Sequence, residues 1–180
     1  PSLRDEDEDE DEESDGEWAD PFGEFKAVTP KQLGPIEARY GELPPAYRKL
    51  VSDIGVGTLL IADEDEPVRF TILPPEHIPK VHKDCISWID KALLEETKSS
   101  HRIDANKLMP ILVDRDWNQW ALLGNQSRGD DRVFLFSHEQ EQREGINPFS
   151  LQGSLETYFS KLFANTRKGY SPWYMWTGRK

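Results

Sequence analysis

The chain has 180 residues, enough for one domain with a real core and too few for two independent cores. Its net charge of -12 sits at one end: residues 1–24 hold 13 of the 34 acidic residues and a single base, Arg4, leaving a remainder that is neutral overall. No run approaches the ~18 apolar residues of a membrane span, the N-terminus reads as too acidic for a signal or transit peptide, and one cysteine, Cys85, excludes an internal disulfide and points to a reducing compartment, cytoplasmic or nuclear.

Residues 1–28 are expected to form a disordered acidic tail, because a segment such as DEDEDEDEES repels itself and buries nothing apolar. Within it Trp18, Phe22 and Phe25 stand among carboxylates, a composition suited to docking in a partner's groove or to folding back onto the domain edge. Thr29 before Pro30 has the form of an N-cap, yet Pro35 would interrupt a helix begun there, so the expectation is a short helix PIEARY ending at Gly41. Pro44 and Pro45 preset a first helical turn that needs no N–H donors. Tyr47, Leu50, Val51 and Ile54 then follow at helical spacing as one buried stripe, and Gly55 ends the helix in the left-handed conformation.

TLLIA (58–62) and VRFTIL (68–73) read as a hairpin around an acidic loop, Asp63, Glu64, Asp65 and Glu66. Next comes a helix starting near Pro79, with Ile78, Val81, Cys85, Ile89 and Leu93 on its apolar face. KSSHRIDANK is a polar connection, after which LMPILV, WNQWALL and RVFLF predict three further strands joined by turns. Ser154 caps a last helix carrying Leu155, Tyr158, Phe159, Leu162 and Phe163 on one face. The order predicts an α+β domain over 29–165, a single mainly antiparallel sheet of five to six strands flanked by helices, followed by a basic aromatic extension over 166–180.

The stretches IEARYGELPPAYRKLVSDIGVG, ILPPEHIPKV, LMPILVDRDWNQWALL with DDRVFLFSHE, and GSLETYFSKLF together resemble the SUKH superfamily, which includes the Smi/Knr cell-wall regulators and many bacterial immunity proteins. The resemblance covers about residues 30 to 165. Where that family usually has a glycine-rich turn between central strands this chain has DRDWNQW, and KGYSPWYMWTGRK continues past the usual end. What the resemblance implies is a protein-binding fold with no catalytic residues to carry over.

Three constellations bear on chemistry. Asp114, Asp116 and Asn118 match the opening of a calcium loop, but Gln119 stands at its glycine position and Asn125 where a bidentate Glu is needed, so a tight turn is the better reading. His77, His82 and Cys85 lack a second cysteine pair and are interrupted by Pro79, which disfavours zinc. His138 and Glu139 follow a strand end near Asp131 and are the residues a hydrolase or metal enzyme would use, but no nucleophile elbow, phosphate loop or HExxH accompanies them. The basic aromatic end would suit single-stranded nucleic acid, a reading opposed by the acidic tail.

The expectation is therefore a non-enzymatic domain without cofactor or metal that binds a basic protein, a toxin or a signalling protein, with neither a membrane nor a nucleic acid as its partner. Acidic segments raise the association rate with such a partner. The contact residues expected are Asp63, Glu64, Asp65, Glu66, Asp114, Asp116, Trp117, Trp120, Trp18, Phe22 and Phe25.

Overall fold

The computed structural model describes residues 25–61, 68–96, 103–114, 119–137 and 149–166. They form one six-stranded antiparallel sheet with four α-helices, the α+β architecture that the order of elements predicts. The helices are α1 (Pro30–Tyr40), α2 (Pro45–Asp53), α3 (Ile78–Glu96) and α4 (Leu155–Thr166). The strands are β1 (Gly57–Ile61), β2 (Val68–Ile72), β3 (Met109–Asp114), β4 (Gln119–Leu123), β5 (Arg132–Ser137) and β6 (Phe149–Ser154), lying side by side in chain order.

Helix α1 begins earlier than its proline suggests. The Gln32 carboxamide oxygen accepts from the Thr29 backbone N–H at 2.9 Å and from the Thr29 hydroxyl at 2.8 Å, which fixes the first turn at Pro30. Pro35 then lies inside the helix. Its missing N–H would have reached the carbonyl of Lys31, and both residues are exposed, so that carbonyl is left open to solvent and not buried without a donor. Burial of Leu33 and Ile36, worth about 1.5–3 kcal/mol each, outweighs a proline cost of about 3 kcal/mol.

Helix α2 starts as its two prolines dictate, with Pro44 at the cap and Pro45 in the first turn. Tyr47, Leu50 and Val51 are buried, but Ile54 is 42 % exposed, so the expected stripe stops one turn short of the helix end. Gly55 adopts φ 102°, and its N–H donates to the Leu50 carbonyl at 3.2 Å. This turn brings Val56 against Lys26, where a two-way backbone bridge forms at 2.9 Å in each direction. Val28 is buried and its N–H donates to Val51, so the domain reaches back at least to Phe25 and not only to residue 29.

Strands β3, β4 and β5 are buried along nearly every consecutive residue, so both faces of the sheet's centre are covered. Trp120 stacks on Phe136 across the β4–β5 pair at 5.4 Å between ring centroids. Helix α3 buries Ile78, Val81, Cys85 and Ile89 as its spacing predicts, and it is entered through a 3-10 turn at Pro75–His77. Strand β6, a segment to which the sequence reading assigns no element, pairs with β5 and feeds directly into α4, whose first turn is capped by the Ser154 hydroxyl accepting from the Thr157 N–H at 3.2 Å.

Candidate functional site

The residues expected to meet a partner separate into two groups. Phe25 packs partly buried against the core, choosing the fold-back alternative over an exposed motif. Trp120 is 3 % exposed and belongs to the packed layer, because it sits on a central strand between two others; its ring is not a surface for a partner. Asp114 is half-buried and its backbone pairs with Phe70 at the end of β3. Trp18, Phe22, Asp63, Glu64, Asp65, Glu66, Asp116 and Trp117 lie outside the described residues, as do His138 and Glu139. Asp131 is described, and its carbonyl accepts from the Leu155 N–H at 2.8 Å, a bond that anchors the start of α4.

His82 and Cys85 share one face of α3 but do not make a reactive pair. Burial holds the Cys85 thiol well above its ordinary pKa, so it is protonated at neutral pH and a poor nucleophile. Burial also holds the His82 imidazole below its ordinary value, and the Arg39 guanidinium, 3.4 Å from its Nδ1, pushes in the same direction. The Tyr40 ring meets the His82 ring edge-on at 5.1 Å, and burial raises the Tyr40 hydroxyl to about 12. A neutral imidazole, a neutral thiol and a neutral phenol packed between α1 and α3 form a polar inlay of the core. Among the described residues no group of three or more His, Cys, Asp or Glu is placed to hold a metal ion.

Concave surfaces lie elsewhere among the described residues, and two bear on binding. One is a cleft of about 630 Å³ beside the Lys26–Val56 bridge, lined by Lys26, Gln32, Thr58, Arg69, Pro75 and Glu76 among others. The other is an apolar groove of about 370 Å³ between α2 and α4. Its floor is Leu50, Leu155 and Phe159, all buried, and its walls are Ala46 and Ile54 on one side and Phe163 on the other. Phe159 and Phe163 stand one helical turn apart with ring centroids at 5.7 Å, giving α4 a continuous aromatic rail. Lys49, Glu156 and Ser160 form the polar rim. The Lys49 ammonium is engaged by the Asp53 carboxylate one turn along α2, which raises its pKa.

The groove arises from local sequence. Of the five apolar residues on one face of α4, Leu155, Tyr158, Phe159 and Leu162 are buried, and Phe163 at the far end is left partly exposed on the groove's edge. On α2 the turn at Gly55 leaves Ile54 standing at the helix end as a wall. An apolar centre with a charged rim is the anatomy of a protein-binding patch.

No family model matches this chain, and comparisons with the curated proteins and with the solved structures returned no match. Among the described residues no helix is long and apolar enough to cross a membrane.

Proposed function

We propose that this chain is a non-enzymatic, cytoplasmic protein-binding domain of SUKH type, acting as a regulator or scaffold or as an immunity protein that neutralises a toxin. The observation that carries this reading is the groove between α2 and α4, where Ile54 stands 42 % exposed beside the aromatic rail of α4. An exposed aliphatic bordering an apolar trough favours association with another polypeptide, since burying it there returns it from water. The resemblance in the LPxxY and SLETYF stretches supports the family, and the α+β sheet is compatible with it. The acid-rich residues 5–13 give the chain a field that attracts a basic partner over distances of a screening length.

The test is affinity capture from extract with three forms of the full chain: native, Ile54→Asp, and a form with Asp5 to Glu13 converted to the corresponding amides. Native protein retains a discrete basic partner, Ile54→Asp loses it, and the amide form binds it more slowly, with a smaller difference between about 50 mM and about 500 mM salt. Identical capture by native and Ile54→Asp protein removes the groove as the binding surface.

A further inference from the structure

Resting on the groove as a docking surface, we propose that in the free chain it is occupied by the chain's own segment Tyr170 to Trp176, which a partner must displace. Two features carry this. The first is position: α4 forms one wall of the groove and ends at Thr166, three residues beyond Phe163. The wall from Leu155 to Phe163 is about 12 Å long at the helical rise per residue. Residues 167–169 reach about 10 Å when extended. A glycine at 169 carries no steric bar to a reversal of the chain, and seven further residues are long enough to return along that wall.

The second feature is chemistry. The segment reads YSPWYMW, four aromatic rings and a methionine without a charge, the most apolar stretch outside the described residues. A groove of about 370 Å³ lies at the small end of ligand sites, room for one or two of these rings. Charge selects this end of the chain over the acidic one: Lys49 is already engaged by Asp53, leaving Glu156 to set the sign of the rim, and Arg167 and Lys168 flank the segment. The acidic N-terminal run would meet Glu156 with like charge.

The experiment is methyl NMR on the full chain, following Leu50 and Ile54 in native protein and in a Trp173→Ser, Trp176→Ser double variant. Ring currents displace both methyl groups in native protein; the displacement is lost in the double variant and returns when a synthetic peptide of residues 169–176 is added. Unchanged methyl positions overturn the proposal, and so does a displacement that grows with protein concentration, which would place a second copy in the groove. Partner capture separates this inference from the one it rests on. If the segment fills the groove nine-tenths of the time, the double variant binds the partner about ten-fold more tightly. Unmoved methyls with capture still lost in Ile54→Asp leave the binding surface standing and the occupant refuted. Displaced methyls with capture indifferent to Ile54→Asp do the reverse.

Discussion

Gly55→Ala tests how the N-terminal edge is fastened to the domain. At φ 102° an alanine pays about 1–2 kcal/mol for the left-handed conformation alone. A Cβ built there lies 2.7 Å from the Lys26 carbonyl oxygen, 2.8 Å from its carbon and 3.1 Å from the Ala27 nitrogen, all of them backbone atoms that no side-chain rotation can clear. Relief requires Lys26 to withdraw, which breaks the two hydrogen bonds to Val56, worth about 0.5–1.5 kcal/mol each. The total is about 2–5 kcal/mol. Gly129→Ala is the control: φ is 78° but nothing lies within 4 Å of the added carbon, so only the conformational part, about 1–2 kcal/mol, applies. Urea titration of both variants beside native protein gives the two values as shifts of the midpoint at constant slope. Equal losses in the two variants would refute the close approach of Lys26, and with it the claim that residues 25–28 belong to the folded unit.

Tyr158→Phe removes a buried hydroxyl that has no hydrogen-bond partner among the described residues, and is expected to raise stability by about 1 kcal/mol in the same titration. Asp130→Asn keeps one acceptor but loses the charge and the second of the paired bonds from Arg132, 2.8 Å each, and weakens the turn before β5, lowering stability by about 1–3 kcal/mol. Burial raises the Asp130 pKa but hydrogen bonds from Arg132 and from backbone N–H groups outweigh it, so its folded value is depressed. Its contribution is complete above the unfolded value of about 3.9 and is lost as pH falls through the folded one; the variant's deficit therefore shrinks in strong acid. His82 acts in a different window. Its folded pKa is lowered by burial, so the native state resists taking up a proton that the unfolded chain accepts near pH 6.5. Stability is full above that pH and falls as pH drops from there through the folded value, a slope that His82→Gln abolishes in denaturation measured from pH 7 to 5.

Most of the fold is legible because its signals are local. The proline pair before α2, the Gly55 turn, the apolar face of α3 and the Ser154 cap each depend on neighbouring residues, and each element forms where those residues put it. The exceptions have tertiary causes. Strand β6, FSLQGS, alternates apolar and polar residues over only four positions before Gly153 at φ 101°; β5 offers it a partner edge, and a register shift absorbs the irregularity. Helix α1 passes through Pro35 because the cap at Thr29 and the burial of Leu33 and Ile36 hold both sides of it. Trp120 is placed on a strand by its sequence and expected to meet a partner, yet that strand is central in the sheet and its ring is buried. Of the groove the sequence shows the apolar face of the last helix, but only the structure shows that Phe163 stays partly exposed there and that Ile54 closes the other side.

Every strand of the sheet pairs only with its neighbours along the chain, which bears on how the molecule assembles. Most pairings close short loops and therefore lose little chain entropy on forming. The exception is the junction of β2 with β3, where Ile72 must find Leu112 across the whole of α3. That junction is the long-range step in an otherwise local topology, and it divides the sheet into an N-terminal hairpin and a C-terminal meander of four strands. Docking those two halves, with α3 already wound between them, is the event expected to set the pace of folding.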